Sequence, residues 1–218
     1  MAKQRIVLFH ATPVAMDPIL SSMARLWPEA EAINLLDDGL SADRAKEGAE
    51  LSPELSERFV NFGKYGHAMG ADGILVTCSA FGPAIEAMAD ILPVPVLKPN
   101  EAMFKAALKA GNKIAMLATF APAVPTMVQE FKQLAKQLGS TATLDVYVVP
   151  DAIDALKGGD AETHNRLVGE AAPKFAAYDV IMLAHFSTSR AMQAVKDAVS
   201  IPVLSAPDAA VLAMKNLL

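Results

Sequence analysis

Short apolar runs recur along the chain, separated by stretches of helical period. The runs are Arg5–Phe9, Glu31–Leu35, Gly73–Thr77, Val94–Leu97, Lys113–Leu117, Thr143–Val149, Val180–Leu183 and Ile201–Leu204. Several are apolar throughout, the pattern of parallel strands covered on both faces. Between them, Met16, Ile19, Leu20, Met23, Leu26 and Trp27 step by three and four. Val124, Met127, Val128, Phe131, Leu134, Ala135 and Leu138 do the same more cleanly, as one buried helix face requires. Ser52-Pro53-Glu54 reads as a helix start, with a capping hydroxyl, a proline in the first turn and an acid at the positive end. Gly139 after Leu138 reads as a stop. Strand–helix alternation predicts an α/β fold with mostly parallel sheets.

The pattern also repeats. Asp72-Gly73-Ile74-Leu75-Val76-Thr77-Cys78 matches Asp179-Val180-Ile181-Met182-Leu183-Ala184-His185. The same offset pairs Asp90 with Asp197, Pro95-Val96-Leu97 with Pro202-Val203-Leu204, and Glu101 with Asp208. Ile6 to Thr12-Pro13 resembles Ile114 to Ala121-Pro122 at a nearly equal offset. We therefore expect two pseudo-symmetric α/β lobes, residues 1–99 and 100–218, each a four-stranded mostly parallel sheet flanked by helices. Ligands of open α/β sheets bind beyond the carboxyl ends of the strands. Two such lobes facing each other would place an active site in the interlobe cleft. His10-Ala11-Thr12, Thr77-Cys78-Ser79, Ala118-Thr119-Phe120 and Ala184-His185-Phe186-Ser187 would line it. Each precedes a helix, whose free N–H groups favour an anion, so a small carboxylate is the expected guest.

Composition narrows the function. The 218 residues are 53% hydrophobic and 20% charged, with a net charge of −5, which excludes a disordered chain and argues against nucleic-acid binding. A single cysteine excludes a disulfide framework and a multi-cysteine metal site. Asp37 and Asp38 have no second cluster at ligand spacing, and no phosphate loop or GxGxxG fingerprint is present, so neither metal nor nucleotide cofactor is expected. No apolar run reaches membrane-spanning length and no leader pattern stands out, so a soluble, cytoplasmic protein is expected. The eleven methionines read as core filler.

Cys78 is the sharpest chemical candidate. A thiol between a strand end and a helix start is placed to act as nucleophile or proton carrier. The plainer reading, a small core residue, is common. His185 holds the repeat-related position and suits acid/base work; a strand-end histidine bonded to backbone is the alternative. His10 could orient or ionise Cys78, or be satisfied structurally. Thr12, Ser79, Thr119 and Ser187 could bind a carboxylate or cap the following helices. Arg190 could pair with an acid or lie exposed. His67 and His164 read as surface residues. Asp37–Asp43 reads as a solvated loop or a lid.

The Thr77-Cys78-Ser79 strand end, Ala184-His185-Phe186 and Ala118-Thr119-Phe120-Ala121-Pro122 together resemble the aspartate/glutamate/hydantoin racemase superfamily, which includes arylmalonate decarboxylase and maleate isomerase. The resemblance spans the chain through its repeat. It implies two pseudo-symmetric lobes with the site between them, cofactor-independent chemistry and a tendency to homodimers. Racemases of this group use one cysteine from each lobe. By position, Cys78 matches the first, Ser79 the neighbouring hydroxyl and Thr119 a carboxylate-binding threonine. His185 stands where the second cysteine belongs, so the two-cysteine reaction cannot occur here. The expected activity is a racemase or epimerase of a small carboxylic or amino acid, with Cys78 and His185 catalytic and His10, Thr12, Ser79, Thr119 and Ser187 binding substrate. The alternatives are a single-cysteine decarboxylase or cis–trans isomerase of a dicarboxylic acid, and a non-catalytic carboxylate-binding protein. The decarboxylase branch keeps the second-lobe cysteine, which makes that match imperfect.

Overall fold

A computed structural model describes residues 3–47 and 50–218; Met1 and Ala2, at the head of the first expected lobe, and Gly48 and Ala49 lie outside it. Its contacts divide the chain into two units, Met1–Pro99 with Ala210–Leu218, and Asn100–Ala209. The first runs β1 (Arg5–His10), α1 (Met16–Leu26), β2 (Glu31–Leu36), α2 (Gly39–Arg44), α3 (Pro53–Ala68), β3 (Gly73–Val76), α4 (Gly82–Ile91) and β4 (Val96–Leu97). The second runs α5 (Glu101–Ala110), β5 (Lys113–Ala118), α6 (Val124–Gln137), β6 (Thr143–Val148), α7 (Ala152–Lys157), α8 (Ala161–Ala171), β7 (Val180–Leu183), α9 (His185–Thr188), α10 (Met192–Ala198) and β8 (Val203–Ser205). A last helix, α11 (Ala206–Leu217), starts in the second unit and ends in the first.

Each unit holds one four-stranded sheet, ordered β2-β1-β3-β4 and β6-β5-β7-β8. Every pairing is parallel. The fold is therefore α/β with two equivalent parallel sheets. Ile6–Phe9, Ile114–Ala118 and Val180–Leu183 are fully buried, which explains their apolar runs: helices cover both faces. Prolines trim the last strand of each sheet. Pro95 and Pro202 lack an N–H, so β4 and β8 begin one residue later, although both carbonyls still accept from Ile74 and Ile181.

Local signals hold at the helix ends. Ser52 Oγ accepts from the Leu55 amide at 3.2 Å and Pro53 opens α3. Gly139 takes a φ of +66°, a left-handed turn open to glycine, and Ser140 N–H returns to Ala135 C=O at 2.8 Å. The repeated aspartates prove structural. Asp72 accepts from the Arg5 amide at 2.7 Å, and Asp179 from the Asn112 and Lys113 amides at 2.8 Å. Both tie the amino ends of strands, away from the carboxyl ends. Gly111 is required here, because a Cβ would stand 2.2 Å from the Cβ of Asp179.

The first core is built on a stack of rings, Phe9 on Phe59 at 4.4 Å and Phe59 on Phe81 at 4.6 Å, which joins β1, α3 and the turn after β3. The second packs Ala115, Leu117, Ile181 and Leu183 against Val168 of α8 and Val195 of α10. Two expectations are corrected. Asp37–Asp43 is not a solvated loop: it contains α2, with Leu40 fully buried. His164 is fully buried on α8, and His67 is half-buried. Among the described residues no helix is long and apolar enough to cross a membrane.

Candidate active site

In the first unit, β1 and β3 lie side by side, so His10 and the Thr77-Cys78-Ser79 turn are neighbours at the carboxyl ends of the two central strands. The ladder continues past β3, where Thr77 N–H donates to Phe9 C=O at 3.0 Å. This delivers Cys78 to that end of the sheet in extended conformation, followed by the single turn Ser79–Phe81. The thiol is mostly buried. Burial pushes its pKa up, while the Ala80 backbone N–H and the Arg44 guanidinium act in the opposite direction. The group therefore rests as a thiol, with donors in place for a thiolate.

His10 is fully buried. Its Nδ1 lies 2.9 Å from Thr77 Oγ1 and its Nε2 2.9 Å from Asn34 Oδ1. Thr77 Oγ1 also lies 3.2 Å from Phe9 C=O. The chain from Asn34 through His10 to Thr77 crosses β2, β1 and the end of β3. Burial lowers the His10 pKa, with Asn34 opposing, which keeps the imidazole neutral. Both ring nitrogens are committed inside the unit, so His10 faces Thr77 rather than solvent. Thr12 and Ser79 are half-buried at the same end. Thr12 makes no side-chain cap bond to the turn it precedes.

In the second unit, β5 and β7 are likewise neighbours. Thr119 and Thr188 are buried and their hydroxyls lie 3.1 Å apart. His185 follows β7 at the head of α9 with a φ of +65°, a strained left-handed backbone for a residue other than glycine. Its Nε2 is buried without a hydrogen-bond partner. Desolvation lowers the His185 pKa to about 4, with the Phe120 bond opposing. The ring meets Phe120 edge-on at 6.4 Å, and Lys157 Nζ stands 5.8 Å from the centroid of the Phe120 ring. Ser187 is half-buried and Arg190 exposed.

Sequence reasoning did not single out Asn34, Arg44 or Lys157. Arg44 and Lys157 each close a six-residue helix with little apolar pattern, and Asn34 sits inside a strand. The repeat was the usable signal only for groups placed directly after strands. Among the described residues no group of three or more His, Cys, Asp or Glu could hold a metal ion.

Comparison with known proteins places this arrangement. No curated protein sequence matches. Solved structures that share the fold include an aspartate racemase homologue from Pyrococcus horikoshii, with TM-score 0.74, 16% identity and 99% of both chains covered. They also include an allantoin racemase from Klebsiella pneumoniae, with TM-score 0.70 and 16% identity over 99% of this chain and 87% of that one. The glutamate racemase isoform RacE1 from Bacillus anthracis has TM-score 0.69 and 15% identity over 99% of this chain and 81% of that one. The profile of the Asp/Glu/hydantoin racemases matches residues 23–174, more than half of the sequence, and the chain belongs to that family.

Proposed function

We propose that the protein is a cofactor-independent isomerase of a small carboxylic or amino acid, moving a proton at the carbon beside the carboxylate. The observation that carries this reading is the pair of repeat-related strand ends. One bears a thiol facing a backbone amide, the other an imidazole with a bare, buried Nε2. Family membership supports isomerase chemistry.

At neutral pH both groups rest uncharged, since burial raises the Cys78 pKa and holds that of His185 near 4. The neutral imidazole of His185 takes the proton from carbon. The Sγ–H of Cys78 returns a proton to the same carbon. The products are the isomerised acid, an imidazolium and a thiolate. The reverse stroke, or exchange with water, restores the neutral pair. A carbanion next to a carboxylate carries concentrated negative charge, and preorganised donors must meet it. Thr12, Ser79 and Ser187 supply half-buried hydroxyls, and Lys157 a cation. His10 and Thr119 serve as supports, because their polar atoms are bonded within their own units.

One observation favours a second reading. The single thiol is held in its protonated form, which also suits a decarboxylase that delivers one proton to a carbanion. The experiment incubates the enzyme in deuterium oxide with a panel of amino acids, hydroxy acids and dicarboxylates. Deuterium at the carbon beside the carboxylate, with change of configuration, supports the isomerase. Carbon dioxide release from a malonate supports the decarboxylase. Thermal stabilisation by an acid that is never turned over would replace both with a carboxylate-binding protein.

A further inference from the structure

Helix α2 is fastened around the Cys78 turn at several points. Leu40 is buried in the core, and Ser41 Oγ donates to the Ala11 carbonyl beyond β1. Arg58 of α3 grips Asp37 with Nε and Nη2 at 2.7–3.1 Å and reaches Asp43 with Nη1 at 2.7 Å. At the end of α2, Arg44 Nε donates to the Ala80 carbonyl at 3.3 Å. The Arg44 side chain is only 20% exposed, and its Nη1 lies 3.8 Å from Glu47 Oε2. Glu47 in turn accepts from the Ser52 amide at 3.2 Å and from the Ser52 hydroxyl, at the cap of α3. Ala80 thus has its carbonyl held by the guanidinium, while its backbone N–H acts to favour the Cys78 thiolate.

We propose that Arg44 is a positioning residue for Cys78: it clamps the Ala80 turn that presents an amide to the sulfur, and it sets a fixed positive charge beside the thiol. This deepens the acid/base assignment of Cys78 and rests on it. The proton-return step leaves a thiolate, and a thiolate in a mostly buried site needs a donor and a counter-charge. Of the charged groups around the sulfur, Arg44 is the one whose field reaches it, and Glu47 behind Arg44 tempers that field. A planar guanidinium addresses the Ala80 carbonyl and Glu47 through different nitrogens, which a single ammonium cannot do in the same geometry.

The test is alkylation of Cys78 by iodoacetamide in the full-length, substrate-free protein, followed by mass spectrometry from pH 6 to 10. The chain has one cysteine, so the signal is unique. In R44Q the profile moves to higher pH, and a half-unit rise slows alkylation about threefold below the midpoint. R44K falls between R44Q and the parent. E47Q moves the profile to lower pH at an unchanged limiting rate, whereas general loosening of the turn would raise the limiting rate itself. A folded R44Q whose profile superimposes on the parent overturns the proposal. Should R44Q fail to fold, E47Q decides, and an unmoved profile there is the refutation. The readout uses no substrate, so its failure is separable from any failure of Cys78 in turnover.

Discussion

Replacing His185 by Asn removes a group that the folded protein keeps from taking up a proton. In the unfolded chain the imidazole titrates near its ordinary value of 6.5, and in the folded chain near 4. Between those values the unfolded state binds more protons, so stability falls as pH drops from about 6.5 to about 4. Below about 4 both states are protonated and this contribution levels off. The two values differ by about 2.5 units, an upper bound of roughly 3 kcal/mol for a well-desolvated group. Asn carries no titratable proton and tolerates the left-handed backbone at this position. The assay is urea unfolding of parent and His185→Asn at intervals from pH 4 to 8. The variant is expected to be flatter across the acid limb, gaining on the parent as pH falls from about 6.5 to about 4. His10 and His164, whose pKa values are also lowered by burial, contribute equally to both proteins and drop out of the difference. Parallel curves would mean that His185 titrates normally in the folded state, and the neutral base would be lost from the mechanism.

Further outcomes follow from the same geometry. Thr77→Val removes the hydroxyl that faces His10 and should cost about 1–3 kcal/mol in urea unfolding, since a buried ring nitrogen loses its partner; a loss near zero would show the chain to be dispensable. Leu40→Ala should cost about 2–5 kcal/mol and shift Cys78 alkylation, because the anchor of α2 is gone. A stability loss with an unaltered alkylation profile would uncouple α2 from the thiol. Gly111→Ala forces a Cβ onto Asp179 and should cost about 1–3 kcal/mol by thermal melting; an unchanged Tm contradicts the contact.

The strands and the two equivalent sheets were readable because β1, β3, β5 and β7 are apolar on both faces and recur at a constant offset. The cap at Ser52 and the stop at Gly139 were readable because each depends on local chemistry. Helix α2 was not, since six residues headed by Asp37-Asp38-Gly39 carry one apolar anchor, Leu40, and their helical form depends on distant partners such as Arg58 and Ala11. Burial of His164 escaped notice for a related reason: its neighbours on α8 are polar, and the packing of α7 and α10 decides its exposure. Of the candidate site, the places of Cys78, Ser79 and His185 just after strands were legible, and the structure puts them after β3 and β7. The commitments of His10 to Asn34 and Thr77, of Thr119 to Thr188, and of Arg44 to Ala80 join residues far apart in sequence, and no spacing rule reveals them.

Proton transfer through the thiol is tested most directly by deuterium uptake into a carboxylic acid substrate by the parent enzyme and by Cys78→Ala, both shown folded by circular dichroism. Cys78→Ala is expected to lose exchange by several orders of magnitude while still binding the acid. Exchange at the parent rate in that variant would contradict the assignment.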